Sequence, residues 1–170
     1  MTIRAPAGPL PAHKKLVPMT VSTPTASQPA LVSSVSQQDA MAVVGLIKRL
    51  TAAWTANDAD AMSELYAEDG TVVLPGDVYL KGRPAIRDWL AWAFETKWKG
   101  TTVLGVPLEM RYLTDDICLL VSQGGAYLPG ADHVTEADAI RGIWIFVRQD
   151  GDWIVTAYEN TPVRAAIPVP

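Results

Sequence analysis

Three polar side chains in the last third of the chain could do chemistry together: Arg141, Tyr158 and Asn160. The Asp150-Gly151 dipeptide predicts a two-residue turn between two β-strands, so that position 141 pairs with 160 and 143 with 158. Because side chains alternate along a strand, all three polar groups then share one face. A tyrosine whose pKa an arginine lowers can act as a general acid, and an amide can polarise a carbonyl. We therefore take these three as candidate catalytic residues.

The same predicted face carries Ile143, Ile145 and Thr156, which with the three polar groups have the character of a pocket for a small organic molecule. Simpler alternatives stay open, since Tyr158 could pack against a neighbour, Asn160 could bind backbone and Arg141 could be a solvated edge charge. Apolar residues in earlier segments would supply the opposite wall. The candidate substrate-binding residues are Leu50, Trp54, Leu74, Trp89, Ile143, Ile145 and Thr156.

The other face of this predicted hairpin is also largely apolar, with Trp144, Phe146, Trp153 and Val155. An antiparallel sheet with one face in water alternates apolar and polar residues, so both faces are predicted to be covered. Helices and a pocket would cover one face, and a second copy of the chain would cover the other as a homodimer. A slip of one residue in the register would exchange the two sets.

Composition excludes several classes of function. The 14 basic and 18 acidic residues give a net charge of −4, which argues against a nucleic-acid partner. No apolar run approaches the ~20 residues that cross a bilayer, so no membrane role is predicted. One cysteine, Cys118, and two histidines, His13 and His133, are too few for a thiolate cluster or a histidine-rich metal site, and no metal or cofactor is predicted. The expected location is cytoplasmic.

The chain divides near residue 36. Residues 1–35 hold six of the 13 prolines and no acidic or aromatic residue, so they predict a flexible or extended tail. The prolines also interrupt any secretory signal, and Met19 is a candidate start that would make residues 1–18 an upstream extension. A single domain is expected over 36–163, because a domain holds about 150 residues. Residues 164–170 are expected to be a C-terminal tail.

Local signals predict three helices and then β-structure. Ser36 and Asp39 fit a capping box, Asn57 can cap a short second helix, and Gly82-Arg83-Pro84 opens a third. Residues 68–70 predict a turn, and Pro107 marks a bulge or edge in the first of four β-rich runs. The runs cover 101–113, 117–126, 139–148 and 153–161, with a long loop at 128–135. The fold class is α+β: three helices packed against a strongly curved antiparallel or mixed sheet that forms a cone-shaped barrel with a pocket.

Two runs of sequence resemble the nuclear-transport-factor-2-like superfamily: residues 66–72, Tyr-Ala-Glu-Asp-Gly-Thr-Val, and residues 82–87, Gly-Arg-Pro-Ala-Ile-Arg. This superfamily includes ketosteroid isomerase, the SnoaL-type polyketide cyclases and limonene epoxide hydrolase. Residues 147–153 and 157–162 resemble one branch, the SgcJ/EcaC-type proteins, some of which are encoded in enediyne biosynthetic clusters. The resemblance implies a cone with a deep pocket and a homodimer through the outer sheet face.

The resemblance does not carry over the catalytic residues of ketosteroid isomerase. It places Leu74 at the position of the base, and Leu50 and Ile143 at the positions of the two donors, and none of these side chains can transfer a proton. Two hypotheses remain for a cavity that takes a hydrophobic small molecule. The chain could be a cofactor-independent isomerase, cyclase or hydratase that acts on a polyketide-like intermediate, or a non-catalytic protein that holds or sequesters a polyene.

Overall fold

The computed structural model describes residues 36–164 and 166–169. The predicted tail 1–35, with His13 and Met19, lies outside the described residues. The described part contains three helices and eight strands in this order: α1 (Gln37–Thr55), α2 (Ala59–Ser63), β1 (Tyr66–Leu74), β2 (Val78–Lys81), α3 (Arg83–Glu95), β3 (Thr102–Thr114), β4 (Ile117–Tyr127), β5 (His133–Val134), β6 (Ala139–Gln149), β7 (Asp152–Pro162) and β8 (Ile167–Pro168).

The first two helices begin at side-chain caps. The Ser36 hydroxyl accepts a hydrogen bond from the Asp39 amide at 3.1 Å and donates to the Asp39 carboxylate at 2.8 Å, which confirms the predicted start of α1. The cap of α2 is Asp58, which accepts from the Ala61 amide at 2.9 Å. The prediction of Asn57 as this cap is wrong, because its backbone has a φ of 52° and its side-chain oxygen accepts from the amide of Gly100.

Six strands form a mixed sheet in the order β2-β1-β7-β6-β4-β3. Strands β1 and β7 pair in parallel, and the other neighbouring strands of this sheet pair antiparallel. The α+β class with three helices and a mixed sheet is thereby confirmed. Residues 68–70 do not form the predicted turn: they lie inside β1, where the register with β7 shifts between Tyr66 and Thr71. The register of β3 with β4 shifts between Pro107 and Glu109, so the bulge predicted at Pro107 is confirmed.

A β-bulge in β7 decides which side chains face the helices. From the Asp150-Gly151 turn the β6–β7 register follows the prediction as far as Phe146 opposite Val155. Ile145 then pairs with Ala157, so that Thr156 has no partner on β6. Beyond this extra residue every side chain of β7 lies opposite a different residue from the one predicted.

The helices α1 and α3 pack on one face of the sheet, here called the inner face. Their buried residues Leu46, Leu50, Ile86 and Leu90 belong to one core cluster together with Cys118, Leu120, Phe146 and Val155 from the strands. Among the described residues, no helix combines the length and the apolar character that crossing a bilayer requires.

A separate two-stranded sheet joins β5 to β8, with Val134 opposite Ile167. Ile167 is buried against Val134 and Ala139. Part of the predicted C-terminal tail, 164–170, is therefore a strand, and it holds the segment that precedes β6.

Candidate functional site

A cavity of about 450 Å³ lies between α1, α3 and the inner face of the sheet. This volume falls within the range of sites for small organic ligands. Most of the lining side chains are aliphatic or aromatic. Six of the residues singled out from the sequence line the cavity: Leu50, Trp54, Leu74, Trp89, Tyr158 and Asn160.

Tyr158 and Asn160 form a hydrogen-bonded pair at the wall of the cavity. The Asn160 amide nitrogen donates to the Tyr158 hydroxyl oxygen at 3.0 Å. Among the described residues the Tyr158 hydroxyl proton has no acceptor, so it remains available to a ligand oxygen. Burial raises the pKa of Tyr158 to about 12, although the hydrogen bond from Asn160 acts in the opposite direction. At neutral pH this phenol is protonated and is a hydrogen-bond donor, not a base.

Trp144 fixes the ring of Tyr158. The two rings are stacked with centroids 3.8 Å apart and an interplanar angle of 27°. The Trp144 indole nitrogen donates to the Ser122 hydroxyl at 3.2 Å. Gly142 leaves room for this stack, because a Cβ at that position would lie 3.0 Å from Cε2 of Tyr158. The phenol is thus held in one place before any ligand arrives.

Tyr66 adds a second phenol to the cavity lining. It is almost fully buried, and burial, followed by the nearby Tyr158, raises its pKa far above the ordinary value. No hydrogen-bond partner of its hydroxyl is found among the described residues. The sequence analysis did not consider Tyr66 as a site residue, although it begins β1, where it pairs with Val155 of β7.

The predicted constellation of Arg141 with Tyr158 is wrong. The bulge at Thr156 places Tyr158 and Asn160 opposite Trp144 and Gly142, while Arg141 lies opposite Thr161. Arg141 projects on the other side of the sheet, the outer face, where its guanidinium donates to Gln123 Oε1 at 2.7 Å.

Three of the predicted substrate-binding residues are likewise outside the cavity lining. Ile143 and Ile145 share the outer face with Arg141, and the Ile143 side chain is 41% exposed. Thr156 is the bulged residue and does not reach the cavity. The inner face carries Trp144 and Ser122 instead. The predicted register placed Trp144 on the face away from the cavity, and the sequence analysis did not consider Ser122.

One ion pair lies at the boundary of the cavity. Lys97 Nζ is 3.5 Å from Asp138 Oδ1, and the Thr135 hydroxyl donates to the other carboxylate oxygen at 2.8 Å. These two are the charged side chains in the lining, as far as the structure describes the chain. No group of three or more His, Cys, Asp or Glu residues is arranged to hold a metal ion in that same part.

Residues 47–156 match the model of the SnoaL-like domain. The chain belongs to the SnoaL-like family. Its fold is shared by a protein from Nostoc punctiforme of unknown function with a cystatin-like fold, which is 20% identical. That alignment covers 76% of this chain and 80% of the other, with a TM-score of 0.69.

Two further solved structures share the fold of this SnoaL-like domain. An uncharacterised protein with a cystatin-like fold from Caulobacter vibrioides is 22% identical over 74% of this chain and 90% of its own, with a TM-score of 0.63. A protein from Novosphingobium aromaticivorans, described as NTF2-like with a cystatin-like fold, is 21% identical over 74% and 82%, with a TM-score of 0.58. No curated protein matches the chain significantly. At these identities the structures establish the fold of the SnoaL-like domain, and its function has to be argued from the cavity.

Proposed function

We propose that this SnoaL-like chain is a small-molecule pocket protein of secondary metabolism that binds a hydrophobic polyketide-type compound. The observation that carries the proposal is the Tyr158–Asn160 pair at the wall of an apolar cavity of about 450 Å³. Apolar walls supply affinity, and a few convergent polar groups fix the orientation of a ligand. Because the Tyr158 proton is available, the bound compound carries a carbonyl or another acceptor oxygen that faces this phenol.

The chemistry of the lining favours holding this compound over converting it. Removal of a proton from carbon needs a base within hydrogen-bond reach. Among the described lining residues the carboxylate is Asp138, and it is engaged by Lys97 and Thr135. Tyr158, with its pKa raised to about 12, is a donor at neutral pH.

A second candidate is a cofactor-independent isomerase, cyclase or hydratase. The observation that favours it is Tyr66, a second phenol near Tyr158 whose hydroxyl has no partner among the described residues. Two donors that converge on one oxygen would stabilise the negative charge of an enolate-like intermediate. Native mass spectrometry with an extract of the source organism separates the two candidates. A ligand released with unchanged mass supports holding, and one whose mass or retention changes only with intact protein supports catalysis.

The nature of the compound is supported by the closing segments of the chain. Residues 147–153 and 157–162 resemble the SgcJ/EcaC-type proteins associated with enediyne clusters. A rigid polyene of that class would place aromatic or conjugated surface against Trp54 and Trp89, which line the cavity. Stacking on such rings adds to the burial of apolar area.

A sheet that curves into a cone around the helices forms part of this proposal. Strands β2 and β3 are the two edges of the six-stranded sheet, and in a flat sheet they would lie about 24 Å apart. Leu80 of β2 and Val103 of β3 nevertheless line one cavity, which supports strong curvature.

The test compares two probes that differ in one oxygen: 1-acetonaphthone, with a ketone, and 1-ethylnaphthalene, without one. By isothermal titration calorimetry, the wild type is expected to bind the ketone about fivefold more tightly, since a hydrogen bond contributes about 1 kcal/mol. Tyr158→Phe should abolish this preference and leave the affinity for the hydrocarbon unchanged. The matched control is Tyr79→Phe, a tyrosine of β2 that is 66% exposed and outside the cavity lining. The proposal is contradicted if neither probe binds the wild type, or if Tyr158→Phe keeps the wild-type preference for the ketone.

We also propose that the outer face of the sheet joins two copies of the chain as a homodimer. Ile143, Leu119 and Val121 form a contiguous apolar surface there, because β4 and β6 pair Leu119 with Ile145 and Val121 with Ile143. Sedimentation velocity should show a dimer that Ile143→Glu dissociates. Val44→Glu is a matched control, since Val44 on α1 is also 41% exposed. A monomeric wild type, or a dimer that survives Ile143→Glu, would rule this interface out.

A further inference from the structure

A second cavity, of about 390 Å³, adjoins the first. The two share Lys97, Trp98, Ala126 and Asp138 in their linings. The second is completed by the loop 128–135 that stood out in the sequence, through Leu128, Ala131 and His133. A ligand longer than the first cavity would therefore extend into the second.

The boundary between the two cavities contains an ion pair that can exchange partners. Lys97 Nζ and Asp138 Oδ1 are 3.5 Å apart, whereas a tight charge-assisted hydrogen bond measures about 2.7–2.9 Å. The two side chains differ in freedom: that of Lys97 is 61% exposed and that of Asp138 is 29% exposed. Thr135 also holds the aspartate in place. Lys97 is therefore the member of the pair that can turn toward another anion.

Lys97 is the cation of the second cavity that a ligand can engage. The lysines of its described lining are Lys97 and Lys99, and Lys99 Nζ lies 3.3 Å from Oε2 of Glu95, a residue outside this lining. The first cavity has Lys97 and Asp138 alone as charged residues of its described lining, and these balance. An apolar cavity with a lysine at the boundary that it shares with a second cavity fits a ligand with an apolar body and an anionic end.

We propose that the second cavity binds the carboxylate of an amphipathic acid whose apolar body occupies the first cavity. On binding, Lys97 exchanges its partner Asp138 for the ligand carboxylate. This inference rests on the proposed function and narrows its ligand class from hydrophobic compounds in general to carboxylic acids.

Substitution of Asp138 tests the proposal, because an exchange of partners and a purely structural role predict opposite changes in the affinity for a carboxylate. Asp138 competes with the ligand for Lys97, so Asp138→Asn should free the lysine and raise the affinity for a carboxylate. A purely structural role of the Lys97–Asp138 pair predicts the reverse, because loss of either partner would then weaken binding. Lys97→Met should lower carboxylate affinity, and Lys97→Arg should restore most of it, since arginine retains the charge.

The probes are octanoate and octan-1-ol, which share a chain length and differ in charge. By calorimetry at neutral pH, the wild type should prefer octanoate by about fivefold, the upper range for a partly exposed ion pair. The preference should be lost in Lys97→Met and increased in Asp138→Asn. Lys48→Met is the matched control, because Lys48 is an exposed lysine of α1 outside both linings. The affinity for octan-1-ol reports in each variant that the first cavity is intact.

The outcomes separate this inference from the proposed function. If neither probe binds the wild type, the proposed function fails. If octan-1-ol binds but octanoate is not preferred, or if Asp138→Asn weakens octanoate binding, the inference alone is overturned. A preference that survives Lys97→Met and disappears in Tyr158→Phe would place the carboxylate at Tyr158, which also overturns it.

Discussion

Arg148 Nη2 lies 2.7 Å from Asp39 Oδ1 and so joins the end of β6 to the first turn of α1. The same guanidinium has Nε 3.0 Å from an oxygen of Asp116, in the turn between β3 and β4. It also lies 5.0 Å from the centroid of the Trp153 ring. One arginine thus holds the start of the first helix against two strand turns.

This contact makes the fold sensitive to acid. The hydrogen bond from Arg148, followed by that from Ser36, lowers the pKa of Asp39 from 3.8 to about 2. An aspartate with a lowered pKa adds stability above the unfolded value, and that stability is lost as the pH falls through the folded value. We expect the urea midpoint of the wild type to fall between pH 4 and pH 2, and Asp39→Asn to have a lower midpoint at pH 7 and a flatter decline below pH 4.

The control for this prediction is Asp77→Asn. Asp77 has a φ of 63°, which asparagine adopts as readily, and it has no ion pair in the described part of the chain. Its midpoint should follow the wild type at every pH. An Asp39→Asn variant with the wild-type profile would show that the Arg148 contact adds no stability.

Alkaline pH should destabilise the protein through buried phenols. Burial raises the pKa of Tyr158 and of Tyr112 from 10.0 to about 12. The folded state then retains protons that the unfolded chain releases, so stability falls as the pH rises from 10 to 12. Tyr112→Phe should reduce the steepness of this fall in urea unfolding, and Tyr79→Phe, at an exposed position, should not. An equal slope in wild type and Tyr112→Phe would contradict the assignment.

Gly142→Ala should disturb the phenol of the cavity. The new methyl group would lie 3.0 Å from Cε2 and 3.3 Å from the hydroxyl of Tyr158, and the stacked Trp144 limits how far the ring can move. Overpacking of this kind costs about 1–3 kcal/mol. We expect a lower thermal midpoint and a changed near-ultraviolet circular dichroism spectrum. Gly105→Ala is the control, because nothing lies within 4 Å of its added Cβ.

Thr101→Val should lower the free energy of unfolding by more than the similar shapes of the two side chains suggest. The buried Thr101 hydroxyl accepts from the Trp54 indole at 3.0 Å and donates to the Trp98 carbonyl at 2.8 Å. Valine would leave the Trp54 indole without its partner, at a cost of about 1–3 kcal/mol in the free energy of unfolding, while the Trp98 carbonyl keeps the hydrogen bond from the backbone amide of residue 101 at 3.2 Å. Thr102→Val removes an exposed hydrogen bond to Thr55 and should cost about 0.5 kcal/mol or less. Equal losses in the two variants would contradict this account.

The three helices and the four long β-strands could be predicted from the sequence because their signals are local, whereas the parallel pairing of β1 with β7 joins distant segments and was not predicted. The cap at Ser36, the apolar period of α1 and the proline at the start of α3 each act within one or two turns of chain. The misplaced cap of α2 has a physical reason. Asn57 and Asp58 are both good caps, and the contact of Asn57 with Gly100, 43 residues away, decides between them.

The candidate site was predicted in part, and the error has one origin. Residues on helices and short strands, such as Trp54, Leu74 and Trp89, lie where their periodicity placed them, and so line the cavity. In the final hairpin the turn set the register correctly for only a few pairs. A bulge adds one residue without a local sequence signal here, since Thr156 is an ordinary strand former.

The bulge at Thr156 also indicates which change of chain length the cavity tolerates in evolution. Val155 and Ala157, on either side of it, already pair with consecutive residues of β6, so loss of the Thr156 codon would leave a regular ladder with the same partners. Tyr158 and Asn160 would keep their places on the inner face. In a strand without a bulge, a deletion of one codon would shift the register and turn such side chains to the other face.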